Sequence, residues 1–146
     1  MTTIEFHFGA PNKVAYCCRL LRKAVGNGYQ VVVLGDLALT TVLDSELWGV
    51  SAVDFVPHCM ATASTSLLRY SPVLLTSEPL AGDQPTDAVL LQLSREVPEN
   101  LKRYNRVIEV VGLDESDRLD ARQRWRTYAA LSFPIRKHDL ALREDK

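Results

Sequence analysis

The chain has 146 residues, 47% of them hydrophobic, and 17 lysines and arginines against 18 aspartates and glutamates give a formal net charge of −1. That size suits one globular domain with a core of its own, and the charge balance excludes a protein that coats nucleic acid with its whole surface. No run of about 18 apolar residues could span a bilayer, and "MTTIEFHFGAPNK" lacks the basic flank and apolar segment of a secretory signal, so a cytoplasmic protein with no membrane role is expected.

"IEFHF" (4–8) alternates apolar and polar residues, as a strand does. In "APNKVAYCCRLLRKAVGNG", Val14, Cys17, Cys18, Leu21 and Val25 share one helical face, while Lys13, Arg19, Arg22 and Lys23 cover much of the rest. The helix should stop at Gly26-Asn27-Gly28, because glycine accepts the left-handed conformation of a C-cap. Cys17, Cys18 and Cys59 have neither a disulfide framework nor a zinc spacing, and read as small buried hydrophobes.

"QVVVL" (30–34) is a continuous β-branched run, the pattern of a strand covered on both faces. Asp36 can then cap a second helix with the stripe Leu39, Val42, Leu43 and Leu47. Residues 57–71 have weak periodicity and read as loop with one helical turn. "PVLLTS" (72–77), "AVLLQLS" (88–94) and "RVIEVVG" (106–112) are further strands, with a polar loop over 77–87. Asp114 is the N-cap of a helix running to about Ser132, and "FPIRKHDLALREDK" leaves it at Pro134 as a polar tail. Strand and helix in this rhythm imply right-handed crossovers. The expected fold class is α/β: a single three-layer domain over 1–133, its mostly parallel sheet flanked by helices, followed by a polar C-terminal tail over 134–146.

Such a sheet is Rossmann-like, but the phosphate-binding parts are missing. "GAPNK" after the first strand is no G-x-G-x-x-G, and "GDLALTT" after the second has no Walker lysine. His7, His58 and His138 are scattered, and His58 beside Cys59 lacks the further ligands of a tetrahedral metal site. No catalytic residue, cofactor, metal or small-molecule substrate is expected.

Two surfaces stand out. At 100° per residue, with Arg122 as zero, Arg118 lies at about −40°, Arg126 at about +40° and Trp125 at about −60°, while Arg124 points away. Asp114 can pair with Arg118 and Asp120 with Arg124, which leaves Arg122 and Arg126 without an acid at that spacing. The residue types fit a solvated face with Trp125 tucked at the core edge equally well as an anion site with an aromatic wall. A compact patch suits a short acidic peptide better than single-stranded nucleic acid, which needs a longer basic track. Arg103 and Arg106 could extend the patch. The second surface is "LWGVSAVDFVPH" (47–58), where Trp48 lies off the core stripe near Phe55, as a partner-binding anchor or as a cover folded over the sheet.

"LWGVSAVDFVPH" and "ARQRWRTYAALSF" together resemble the L-W…S-F-V-P-H and A-R-x-R-[YW]-[KR]-x-Y…F segments of the chi subunits of bacterial DNA polymerase III holoenzyme, clamp-loader accessory proteins. The resemblance runs over nearly the whole chain. It implies a non-enzymatic adaptor that binds the psi subunit of the clamp loader and the acidic, phenylalanine-ended C-terminal tail of single-stranded-DNA-binding protein, and meets DNA mainly indirectly. The tail site would fall on Val111, Arg118, Arg122, Trp125 and Arg126, and the psi surface on Trp48 and Phe55. Arginine stands at 118 and 126 where lysine is the familiar residue of the family, Trp125 stands in place of a familiar tyrosine, and Gly112 in place of a familiar proline. The alternatives are direct single-stranded nucleic-acid binding and a nucleotide-binding enzyme on the same fold.

Overall fold

The computed structural model describes residues 2–49, 58–60, 72–78 and 85–140. Strand β1 (Thr3–Ala10) leads to helix α1 (Lys13–Gly26), whose first turn is capped by the Asn12 side chain accepting from the Ala15 N–H at 3.0 Å. Asn27 closes the helix and Gly28, at φ +84°, turns the chain into β2 (Val31–Leu34). The Asp36 carboxylate accepts from the Leu39 N–H at 2.7 Å and starts α2 (Leu37–Gly49). Then come β3 (His58–Met60), β4 (Val73–Thr76), β5 (Thr86–Gln92), a 3-10 turn (Leu101–Arg103), β6 (Tyr104–Gly112), α3 (Glu115–Ala130) and β7 (Ile135–Asp139).

The described strands form one seven-stranded sheet in the order β3-β4-β2-β5-β6-β1-β7, and every pairing is parallel. Alternate side chains divide the core into two layers. Val31, Val33, Leu91, Ile108 and Val110 join Cys17, Cys18, Leu21, Leu43 and Leu47 of α1 and α2 on one face. Ile4, Phe6, Leu34, Leu90 and Val107 join Ala121 and Tyr128 of α3 on the other. The result is a three-layer α/β domain. Of the expected α2 stripe, Leu43 and Leu47 are fully buried and Leu39 is partly so, but Val42 is 45% exposed.

Two segments correct the sequence reading. His58–Met60, expected to be loop, is a strand paired with β4, and three residues are too few to show a period. Residues 135–139, expected to belong to a polar tail, pair with β1 in the register Ile4↔Ile135 to Phe8↔Asp139, and Leu140 beyond them is buried. The cause of the second error is position in the sheet. An edge strand tolerates, and benefits from, charges that would disqualify a central strand. Strand β1 also departs from a simple alternation, because Glu5 and His7 are buried along with Ile4 and Phe6. It lies between β6 and β7 with both of its faces covered.

Candidate functional site

Helix α3 begins where Asp114 accepts from the Asp117 N–H at 3.3 Å, so this carboxylate serves as the cap rather than as the expected partner of Arg118. Asp117 ties the first turn to its surroundings. Its carboxylate accepts from the Gly112 N–H at 2.8 Å and from Lys13 Nζ at 3.1 Å.

About two turns beyond Asp117, Arg124 enters the core. It is 4% exposed and its Nε donates to both oxygens of Glu109, each at 3.0 Å, while Glu109 itself is fully buried. Tyr128 Oη donates to the same carboxylate at 2.6 Å and Gln92 Nε2 at 3.4 Å. Burial pushes the Glu109 carboxyl above its ordinary range, against the opposing pull of Arg124, Tyr128 and Gln92. Burial and the neighbouring Glu109 likewise raise the Tyr128 hydroxyl. The expected Asp120–Arg124 pair is not formed, and Asp120 meets Arg95 at 3.4 Å instead.

This pair fixes the rotation of α3. With Arg124 locked inward, Arg118, Arg122 and Arg126 are held outward, and all three are exposed. They line a groove of about 490 Å³ together with Phe6, Phe8, Val111, Ala121, Trp125 and Lys137. All five residues expected at the tail site are therefore neighbours. Among the described residues the three arginines make no ion pair with an acid. Trp125 serves both sides: it packs on Phe6 with ring centroids 4.9 Å apart, is half-buried, and still forms part of the groove wall. Lys137 Nζ lies 6.0 Å from its ring centroid, within cation–π reach.

Lys137, Phe6 and Phe8 were missed at sequence level. Phe6 and Phe8 read only as strand residues, and Lys137 lay in the supposed tail. Arg103 and Arg106 do not extend this patch: Arg103 stacks on Tyr104 at 5.6 Å, and Arg106 binds Glu5 on the opposite face of the sheet. Trp48 belongs to α2, but its side chain and the whole of Phe55 lie outside the described residues.

The crevice where an α/β sheet of this kind would take a nucleotide, past the ends of β2 and β5, is lined by Asp36, Glu96, Glu99 and Asp120 with Arg95 among them. Arg95 is engaged by Asp120, so among the described residues the acids outnumber the base there, and a polyphosphate would meet like charge. Among the described residues no helix is long and apolar enough to cross a membrane.

Fold and groove together define a class: a Rossmann-like α/β protein that presents cations around an apolar, aromatic floor. The chain belongs to the family of DNA polymerase III chi subunits (HolC), whose model matches residues 1–136. It is 30% identical to the DNA polymerase III subunit chi of Pseudomonas aeruginosa, over 96% of this chain and 98% of that protein. Membership gives it an accessory role in bacterial replication, within the DNA polymerase III assembly.

Proposed function

We propose that this protein is an adaptor whose α3 groove receives the acidic C-terminal tail of single-stranded-DNA-binding protein, while the surface around Trp48 and Phe55 holds the psi subunit of the clamp loader. The observation that carries the reading is the chemistry of the groove. Four cations, Arg118, Arg122, Arg126 and Lys137, surround a floor of Phe6, Phe8, Val111 and Trp125. A short peptide with several carboxylates and one terminal apolar ring matches both halves of that surface.

The arginine forks engage carboxylates in pairs of hydrogen bonds, each charged contact contributing about 1.5–3 kcal/mol. The terminal ring gains about 0.5–1.5 kcal/mol against Trp125 beyond the area it buries. The sum, less the entropy of ordering the tail, corresponds to a roughly micromolar complex. DNA is then reached through the partner rather than through the groove. Four cations within one short groove make no extended track for a phosphate backbone.

Calorimetry with the tail peptide and with psi tests both halves. Arg122→Ala should weaken tail binding at least tenfold and leave the psi complex intact, and Trp48→Ala should do the reverse. Unchanged tail affinity in Arg122→Ala would remove the groove from this role.

A further inference from the structure

On the other face of the same sheet edge, the sequence has left a second constellation. Glu5 and His7 are alternate residues of β1 and so project to the same side, away from Phe6 and Phe8. His138 is the cross-strand neighbour of His7 in the parallel pairing with β7. Two of the three histidines that look scattered in the sequence are thereby brought side by side, with ring centroids 4.7 Å apart and planes tilted by 59°. One ligand atom from each of Glu5, His7 and His138 lies within 4.8 Å of the other two. These three residues line the floor of a cavity of about 290 Å³ that also has Tyr16, Arg19 and Arg106 in its wall.

We propose that Glu5, His7 and His138 form a binding site for a zinc-class divalent transition-metal ion. Two imidazoles and one carboxylate are the donor set such ions take when coordination positions stay open, whereas magnesium and calcium prefer an all-oxygen shell. The distances fit. Glu5 Oε1 and His138 Nε2 are 3.2 Å apart, close to the about 3.3 Å edge of a tetrahedron with metal–ligand bonds of 2.0–2.1 Å.

The supporting groups are also in place. The Tyr16 hydroxyl lies 2.5 Å from His7 Nδ1, so this ring ligates through Nε2 with its orientation held by the tyrosine. Arg106 binds Glu5 through Oε2, which orients the carboxylate and presents Oε1 to the ion. Glu5 is 7% and His7 4% exposed, so their geometry is held by packing, while the cavity leaves a route in from solvent. The remaining coordination positions face the cavity and take water or a small anion, with Arg19 and Lys23 on its wall.

The test uses the intact chain, freed of metal by chelation, titrated with Zn²⁺ or Co²⁺ in the presence of excess Mg²⁺. The expected result is one ion per chain, a rise in melting temperature on Zn²⁺ addition, and a Co²⁺ visible spectrum without the intense sulfur charge-transfer band that Cys17, Cys18 or Cys59 would give. His138→Ala, at the sheet edge, should weaken Zn²⁺ binding at least tenfold, and Glu5→Gln should do the same. The proposal is overturned by the absence of saturable binding to the wild-type protein, by a thiolate spectrum, by competition from Mg²⁺, or by unchanged affinity in a folded His138→Ala. The wild-type cobalt spectrum decides even if a variant fails to fold.

Discussion

Arg122 and Arg124 stand two residues apart on α3 and have opposite fates. The first is exposed in the groove, and the second is buried against Glu109. Helical spacing separates the two, but it paired Arg124 with Asp120 rather than with Glu109. Nothing in the sequence announces that Glu109 sits under Arg124, because an acid inside an apolar run can face either way until the helix above it is placed. Removing one partner of a buried pair leaves the other uncompensated, so Arg124→Met should cost about 3–5 kcal/mol in a urea denaturation series. A loss below about 1 kcal/mol would show that the pair does not hold the helix. Cys17 gives a second check at this scale. Burial pushes its thiol up to about 12, so the thiolate is scarce at neutral and mildly alkaline pH. Iodoacetamide at pH 8 should leave Cys17 unmodified in the folded chain and modify it in urea, as read by peptide mass mapping.

At the scale of elements, the strands with continuous apolar runs and the helices with caps were legible, since burial on two faces and a capping side chain each leave a local signature. Asn27-Gly28 after α1, Asp36 before α2 and Asp114 before α3 all act as read. Strand β7 was not legible. Its residues Ile135, Arg136, Lys137, His138 and Asp139 look like a tail until β1 is seen to need a neighbour. That one miss hid Lys137 from the groove and His138 from the Glu5–His7 cluster. The junction of β6 and α3 carries a prediction of its own. Gly112 stands in place of a proline familiar in the family, and here its N–H donates to Asp117, which also holds Lys13. Gly112→Pro removes that donor from a part-buried bond and should cost about 1–3 kcal/mol, measured as a lower denaturation midpoint. An unchanged midpoint would mean that Asp117 is positioned by Lys13 alone.

For the whole molecule, the sheet edge β1–β7 is the organising feature. On one face its alternate residues Phe6, Phe8 and Lys137 complete the groove under α3. On the other, Glu5, His7 and His138 gather beneath α1. The arginine stripe was visible in the sequence because helical spacing is local. Of the apolar floor, Trp125 was visible with the stripe, Val111 came only from the family resemblance, and Phe6 and Phe8 were missed, because these last three come from strands that meet only through long-range pairing. The measurement that bears most directly on the adaptor reading is an NMR titration of the ¹⁵N-labelled chain with an acidic, phenylalanine-ended tail peptide. The chain has two tryptophans and so two indole N–H signals, one of them, that of Trp125, from the groove wall. The Trp125 indole and the backbone amides of Arg118, Arg122 and Lys137 should shift on titration, less so as salt is raised, while the Trp48 indole stays in place. A Trp48 indole that moves while Trp125 remains still, or a peptide that shifts neither, would contradict the adaptor reading.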